Sequence, residues 1–356
     1  MIGGSVAAVE PPLGLAVVGL GLHSAIGRTA TSAAAAVRAG VSRLREHDHM
    51  VDREGDPFRV ADDAELGAPL QRSQRIAALA TSAIEQVVQQ IETRKMAGRI
   101  PTLLCLPEAC DTFSEADGVS VCTQVNQAFA GRLELGVRPV MQGNAAAAAA
   151  VQSAHALLST NNADACIVAG ADSFIDPDVL EPLDESGRMM SLSNRWGFPP
   201  GEGAGALLLV SKAKVRGLGF PPLAELHGLG MTREPHGRDS DGVCVGAALA
   251  DAFRQSVKGL GQPVAAQYND IDGDRYREHE FSFAITRVHA DMFDNATDYV
   301  APADAWGAVG AASLVMLSAL AIARGHRGPV PGATWMAWAG SEGGLRGSLV
   351  YREVSA

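Results

Sequence analysis

Five cysteines are the side chains of this sequence best suited to covalent chemistry. Their number is odd, their spacing is wide and no two form a CxxC pair, which argues against a zinc site and a disulfide framework and favours reduced thiols. Cys105 and Cys166 fall in predicted strands, where a small buried side chain is expected. Cys110 and Cys122 border a predicted loop and could be exposed, but no histidine lies near them in the sequence. Cys244 is the fifth.

The turn at Gln142–Asn144 is a second place where chemistry could occur, because it precedes a run of six alanines that begins a helix. Enzymes mount nucleophiles at such turns, since the positive end of a helix stabilises a thiolate. This turn contains neither cysteine nor serine. Asn144 cannot act as a covalent nucleophile, and we expect its side chain to cap the helix instead.

Three aspartates alternate along the segment Asp270–Asp274, as in a calcium-binding loop. The EF-hand pattern requires a glutamate at its twelfth position, which is Phe281 here, so the match fails. We therefore expect a solvated or helix-capping acidic loop. His279 and Glu280 follow closely and leave a cation site open as the alternative.

A glycine-rich stretch, Gly19–Gly27 (GLGLHSAIG), lies between a predicted strand and a predicted helix, as a dinucleotide-binding turn would. Ser24 occupies the place of the third glycine of that motif, and no acidic residue stands clearly about 20 positions further on. We predict a tight strand-to-helix crossover whose glycines need positive φ. A nucleotide-binding enzyme remains one further hypothesis.

The composition is typical of a globular α/β protein, with 47% hydrophobic and 19% charged residues among 356. The formal net charge of -11 argues against nonspecific binding to nucleic acid. No uninterrupted apolar run reaches the ~18 residues of a membrane span, and residues 1–12 lack the basic start of a signal peptide. We therefore predict a cytoplasmic protein that binds neither membrane nor nucleic acid.

The elements that must position these residues alternate between strands and helices. The predicted strands are 15–20, 102–106, 165–169, 205–210, 223–231, 282–286, 334–338 and 348–352, and the predicted helices are 31–38, 73–94, 145–158, 245–257 and 308–324. This alternation indicates one or two mainly parallel sheets. Residues 217–222 are the predicted seam between two halves.

Seven segments, in order along the chain, resemble the β-ketoacyl synthase branch of the thiolase superfamily. They are residues 17–27 with their continuation at 33–44, 161–173, 194–217 with its GEGAG element, 223–234, 240–256, 307–322 and 340–353. The resemblance implies a five-layered αβαβα fold with two similar halves, residues 1–216 and 217–356, and two mixed sheets. It also implies that the protein uses no cofactor. It further implies a dimer with an identical or a ketosynthase-like chain, formed through the strand and helix near the nucleophile position.

In that family a cysteine takes up an acyl group, two histidines assist decarboxylation and hold the enolate oxygen, and a lysine supports them. The resemblance places Asn144 at the cysteine, Asp272 and Gly307 at the histidines, and Pro302 at the lysine. Glu342 stands at the gate phenylalanine. Every position that carries the chemistry is therefore changed, and a carboxylate at Asp272 would repel an enolate.

The first functional hypothesis is a catalytically inactive ketosynthase-like protein that acts as a scaffold, adaptor or partner subunit, for example in a bacterial secretion system. An offset of two residues would place Gln142 at the nucleophile position, which resembles the chain-length-factor subunits of polyketide systems. The alternative is an active acyltransferase or decarboxylase that uses Asp272, Asn144 or a repositioned cysteine.

Two further residues have predicted structural roles. Glu202, in the GEGAG element, is expected to accept backbone hydrogen bonds in a tight turn. Trp306 precedes Gly307, and we expect its ring to fill the space left by the missing imidazole.

Overall fold

The computed structural model describes residues 10–66, 70–96, 98–191, 194–323 and 332–354. The strands are β1 (Leu15–Ser24), β2 (Arg45–Val51), β3 (Pro57–Val60), β4 (Ile100–Leu106), β5 (Leu135–Met141), β6 (Ala165–Ser173), β7 (Glu202–Ser211), β8 (Ala224–Arg233), β9 (Ala266–Asn269), β10 (Tyr299–Val300), β11 (Thr334–Gly340) and β12 (Leu345–Glu353). The helices are α1 (Ala30–Arg38), α2 (Arg72–Thr93), α3 (Glu115–Ala128), α4 (Ala146–Ser159), α5 (Pro177–Glu185), α6 (Val215–Leu218), α7 (Ala247–Ser256), α8 (Arg275–Arg287), α9 (Ala303–Trp306) and α10 (Ser313–Ile322).

Two sets of five strands repeat one topology. In the order β1-β7-β6-β4-β5, two antiparallel pairings are followed by two parallel ones, and β8-β12-β11-β9-β10 repeats the same sequence of pairings. The predicted fold class is confirmed. The structure differs from the predicted two sheets in one respect. Residues 15–17 of β1 pair with residues 224–226 of β8, so hydrogen bonds join the two sets of strands into one mixed sheet. The boundary between residues 216 and 217 stays a prediction.

Helices α4 and α10 form the middle layer, between the two sets of strands. All ten residues of α10 are buried, and each buried leucine in it stabilises the fold by about 1.5–3 kcal/mol. The alanines of α4 are short enough to let the layers approach closely. Each helix follows a 3-10 turn, Gly143–Ala145 or Gly310–Ala312, and these two turns contact each other at the centre of the molecule.

The outer layers are α2 and α3 over the first half and α7 and α8 over the second. The predicted strand at 282–286 is wrong, because these residues belong to α8. Asp274 caps this helix by accepting a hydrogen bond from the Tyr276 amide at 2.8 Å. Phe281 and Ala284 are three positions apart and both are buried, which is the spacing of one face of a helix. Packing of this face therefore decides for a helix although the residues at 282–286 are typical of a strand.

Gly19 and Gly21 do not form the predicted turn with positive φ. Strand β1 continues through both residues to Ser24. A Cβ at Gly21 would lie 2.0 Å from the carbonyl oxygen of Ala83, so glycine is needed there for the close packing of α2 on the strand. The loop that would hold a dinucleotide pyrophosphate is therefore not formed at these glycines.

The helices of the described ranges include none that is long and apolar enough to cross a membrane. Helix α10 ends at Ile322. The predicted helix end at residue 324 and residues 1–9 of the predicted N-terminal segment lie outside the described residues.

Candidate functional site

A small cavity lies where the turn before α4 faces the segment before α10. Its volume is about 20 Å³, which is room for one water molecule. The lining residues come from both halves of the chain and include Asn144, Asp270, Asp272, Pro302, Trp306 and Gly307. The four positions that the resemblance assigns to catalysis thus meet at one cavity, and none of its described lining residues is a cysteine or a histidine.

Asn144 does not cap a helix, contrary to expectation. Its Nδ2 donates to Oδ2 of Asp270 at 3.0 Å, a contact between the two halves. Ser341 provides the cap instead: its Oγ accepts from the Ala145 amide at 2.9 Å and donates to the Gln142 carbonyl at 2.6 Å. The bond to the Asp270 carboxylate orients the Asn144 side chain towards the second half of the chain, and the Ser341 hydroxyl takes the capping position. Gln142 is not among the residues that line the cavity.

The Asp270 carboxylate is a junction of several elements. Its Oδ2 accepts from Asn144, from Arg277 Nη1 at 2.8 Å and from the Gly340 amide at 3.2 Å. Arg277 Nη1 also donates to the Gly340 carbonyl at 2.7 Å. Three donors from different elements converge on this one carboxylate oxygen, so the contact fixes the turn before α4 relative to β11 and α8.

Arg277 is the buried cation of this network, with 11% of its side chain exposed. Besides Asp270 it lies 3.6 Å from Asp272 and 3.3 Å from Glu342. Burial would lower the pKa of Arg277, but these carboxylates raise it, so the guanidinium stays charged. The sequence analysis did not identify Arg277, because an arginine in the first turn of a helix belongs to no recognisable motif.

Asp272 is buried beside two other carboxylates. Burial raises its pKa to about 6; Arg277 opposes this increase, while Asp270 and Asp274 add to it. The prediction of a solvated loop is wrong for Asp270 and Asp272, whose side chains are 6% and 8% exposed. The alternative of a capping role is correct for Asp274.

Gly307 leaves no space for a side chain. Its φ of 75° and ψ of 177° are a conformation that non-glycine residues rarely adopt. A Cβ at this position would lie 2.7 Å from the Cα of Gly201. Trp306 is 2% exposed and lines the cavity, so its ring does not point into solvent; that it fills the space of the missing imidazole stays a prediction. Pro302 stands at the start of α9 and has no ionisable group.

Glu342 lies among three arginines. Its Oε1 accepts from Arg188 Nη2 at 2.9 Å and from Arg277 Nη2 at 3.3 Å, and its Oε2 lies 3.6 Å from Arg238 Nε. Burial would raise the pKa of Glu342, but the three guanidinium groups hold it at about 2. The loop at the predicted gate position is thus held by ion pairs.

None of the five cysteines, all of them in described residues, lines the cavity. Cys110 is exposed, but Cys122 is buried in α3, contrary to expectation. Burial raises the pKa of Cys122 and of Cys166 to about 12, so these thiols are poor nucleophiles near neutral pH. Cys105 is likewise fully buried on β4.

Glu280 belongs to the one group of described side chains that could hold a metal ion. Ligand atoms of Glu234, Cys244 and Glu280 lie within 4.8 Å of one another. Arg346 Nε already donates to Glu280 at 2.7 Å, so a cationic group neutralises one carboxylate of the group. His279 takes no part. Sequence reasoning pointed to Glu280 but missed its partners, because they are distant along the chain.

Glu202 accepts a backbone hydrogen bond, as predicted, from the Asp63 amide at 2.8 Å, but it begins strand β7 and does not lie in the predicted tight turn. It is fully buried and pairs with Arg75 through two hydrogen bonds of 2.9 and 2.6 Å. Ser173 Oγ donates a further bond at 2.8 Å. The carboxylate therefore ties β6 and β7 to α2 and has a structural role.

The family model for the beta-ketoacyl synthase N-terminal domain matches residues 140–214, which include the turn before α4 and the GEGAG element. A comparison with curated proteins finds no match.

Several solved structures are similar to nearly the whole chain. A ketosynthase solved with its type II PKS acyl-carrier protein is 16% identical with a TM-score of 0.75, over 97% of this chain and 100% of that chain. The ketosynthase from module 6 of the bacillaene synthase of Bacillus subtilis is 13% identical with a TM-score of 0.76, over 96% of this chain and 72% of that one. The ishigamide ketosynthase/chain length factor is 17% identical with a TM-score of 0.74, over 96% and 99%.

Proposed function

We propose that this β-ketoacyl synthase-like chain of the thiolase superfamily is a non-catalytic scaffold, adaptor or partner subunit. One observation carries the proposal: the cavity that collects Asn144, Asp272, Pro302 and Gly307 has neither a thiol nor an imidazole in its described lining. Condensation as the family performs it needs a nucleophile and hydrogen-bond donors for an enolate oxygen. An amide already bonded to Asp270, a buried carboxylate, a proline and a glycine do not supply them.

The size of the cavity supports the same conclusion. A volume of about 20 Å³ holds a single water molecule, so an acyl chain does not fit. Buried Trp306 forms part of the wall.

The proposed partner is a second copy of this chain or a ketosynthase-like chain, and the proposed contact is made by β5 and α4. Strand β5 lies at an edge of the sheet and pairs, among the described strands, with β4 alone. An edge strand offers unpaired N–H and C=O groups to a partner. The similar structures include a ketosynthase with its acyl-carrier protein and a ketosynthase/chain length factor, which supports a partner-subunit role of the chain-length-factor kind.

Sedimentation of the purified protein tests the pairing. We expect a dimer, alone or with a co-expressed ketosynthase, and expect Val140→Lys on β5 to shift it to monomer. Val243→Lys is the matched control, because Val243 is 73% exposed in the loop before α7, a helix that packs on β8 and β12 and not on β5. Circular dichroism checks that both variants fold. The proposed contact is contradicted if the wild type is a monomer both alone and with the co-expressed ketosynthase, or if Val140→Lys still forms a dimer.

Acyl loading tests the absence of catalysis. The protein is incubated with acyl and malonyl thioesters, and its intact mass and the released carbon dioxide are measured. We expect no stoichiometric adduct and no condensation product. Cys110→Ser is the control for surface acylation, since Cys110 is the exposed cysteine. An adduct that persists in Cys110→Ser, or a condensation product, would refute the proposal.

A second candidate, an enzyme with altered chemistry, is favoured by Asp272. A carboxyl group whose pKa lies at about 6 can donate and accept a proton near neutral pH. This candidate predicts decarboxylation or acyl transfer that Asp272→Asn abolishes without unfolding the protein. Absence of turnover in the wild type, under the conditions of the loading experiment, rejects it.

A further inference from the structure

We propose that a cleft on the surface of the protein binds a small oxyanion, the phosphate or carboxylate group of a soluble ligand. The cleft has a volume of about 410 Å³, within the range of small-molecule sites. Its lining includes three arginines, a tryptophan and one carboxylate: Arg188, Arg238, Arg275, Trp196 and Asp274. This inference does not depend on whether the central cavity is inert.

Arg188 and Arg238 converge on one point. They contact opposite oxygens of the Glu342 carboxylate, at 2.9 and 3.6 Å. Their side chains are 26% and 20% exposed, so both also reach the cleft. Two guanidinium groups held together in this way match the geometry of a carboxylate or phosphate.

The hydrogen-bonding capacity of these two arginines is not used up. The Nε atom of Arg188 is buried without a hydrogen-bond partner among the described residues, and the Nε atom of Arg238 has Glu342 Oε2 only at 3.6 Å, beyond hydrogen-bond distance. A buried donor without an acceptor is unfavourable, because it has lost its hydrogen bonds to water without gaining one in the protein. A ligand that supplies acceptor oxygens, with a small rotation of each guanidinium, would relieve this cost.

Arg275 adds a third cation on the open side of the cleft. Its guanidinium lies 4.3 Å from the ring centre of Trp196, and it forms no ion pair with a described residue. Trp196 is 54% exposed. The tryptophan thus holds an uncompensated positive charge at the cleft wall through a cation–π contact. Three arginines converge here although the whole chain has a net charge of -11.

The acidic neighbours leave this positive face accessible. Asp274 is buried, caps α8 and pairs with Arg238. Glu342 is shared between Arg188, Arg238 and Arg277, so it neutralises these cations only in part. An entering anion would compete with Glu342 for the same guanidinium groups. Removing the Glu342 charge should therefore tighten binding.

Calorimetric titration and thermal unfolding with inorganic phosphate and with malonate test the site, against sodium chloride at equal ionic strength. We expect saturable binding of at least one anion to the wild type. Arg188→Gln, Arg238→Gln and the exposed-side variant Arg275→Gln should each weaken it at least fivefold, and Glu342→Gln should strengthen it severalfold. Arg99→Gln is the control, because Arg99 lies in a different part of the surface and has Glu134 as its ion-pair partner.

The direction in which each variant changes anion affinity distinguishes a binding site from a structural role of the arginines. A purely structural role of the arginines, in which they only hold the loop of Glu342, predicts loss of stability in the arginine variants without any anion dependence. Absence of saturable binding above the salt control overturns the proposal, as does equal binding by wild type and arginine variants. Binding of phosphate but not malonate, or the reverse, supports the site and identifies the ligand class.

Discussion

Asn144 and Asp270 are joined by a hydrogen bond of 3.0 Å between residues 126 positions apart. The amide stands in the turn where the resemblance places a nucleophile, and the carboxylate belongs to the second half of the chain. The same carboxylate oxygen also accepts from Arg277 and Gly340. The centre of the molecule is therefore a junction that fixes the two halves relative to each other.

Arg277→Met should destabilise the protein strongly. It leaves the buried carboxylates of Asp270 and Asp272 without their cation, and breaking a buried pair in this way costs about 3–5 kcal/mol. Urea unfolding measures the change. Arg132→Met is the matched control: Arg132 pairs with Glu85 and Glu92 on the surface, where solvent screens the charges, so its loss should change stability little. Equal losses in both variants would contradict the structural role of Arg277.

Gly307→Ala should destabilise the protein by about 1–3 kcal/mol from backbone strain alone, because residue 307 has a φ of 75°. Contact with Gly201 adds to this cost. In Gly217→Ala the new Cβ meets no atom within 4 Å, and φ is not positive, so its stability should stay within about 1 kcal/mol of wild type. Thermal unfolding compares the two. A fully stable Gly307→Ala would show that the position can accept a side chain.

Asp272→Asn should stabilise the protein above pH 6. The pKa of Asp272 is raised in the folded state from 3.8 to about 6, so above pH 6 the folded protein must bury a charge that the unfolded chain leaves in water. The gain is at most about 3 kcal/mol. As pH falls from about 6 towards 4 the wild-type carboxyl takes up a proton in the folded state, and the gain should disappear.

Glu342→Gln provides a control of opposite sign. The pKa of Glu342 is lowered from 4.5 to about 2, so its charge stabilises the fold above pH 4.5 and that contribution is lost as pH falls towards 2. The variant should therefore be less stable than wild type at neutral pH. Unfolding by urea at a series of pH values measures both variants; a constant difference between Asp272→Asn and wild type would show that Asp272 is not the titrating group.

Asn144→Cys should not restore acyl transfer. The new thiol would lie beside the Asp270 carboxylate, which raises a thiol pKa, and no imidazole lies in the described lining of the cavity to accept its proton. Intact mass after incubation with an acyl thioester measures loading, with Cys110→Ser introduced in both proteins to remove surface reaction. Stoichiometric acylation at residue 144 would mean that a nucleophile alone is missing from the site.

Much of the architecture could be predicted from local patterns. Apolar periodicity located α2 and the buried strands β4, β6 and β7 to within a few residues. The strand predicted at 282–286 is a helix, because five residues are too few to distinguish the repeat of a helix from that of a strand. The residue that indicates a helix is the N-cap Asp274, which lies eight positions upstream. The glycines of β1 were mistaken for a turn, since the sequence does not show that α2 packs against Gly21.

The ion pairs of the candidate site could not be predicted. Arg277 and Glu342 are 65 positions apart, and Arg238 reaches Glu342 from a different loop. No motif relates these residues, because their chemistry depends on distances that arise only when β9, β11 and α8 meet. For the same reason the raised pKa of Asp272 follows from burial beside Asp270 and Asp274, which composition does not reveal.

The sequence by itself determined which groups are available: a turn without cysteine or serine at Gln142–Asn144, a glycine at 307 and aspartates at 270–274. Chemical identity is a property of each residue, and spacing along the chain sets local structure. Only the tertiary structure decided that these positions face one cavity with room for a water molecule, and that Arg277 lies buried among the carboxylates. Electrostatic contacts and cavity volumes depend on distances through space, which the packing of the two halves creates.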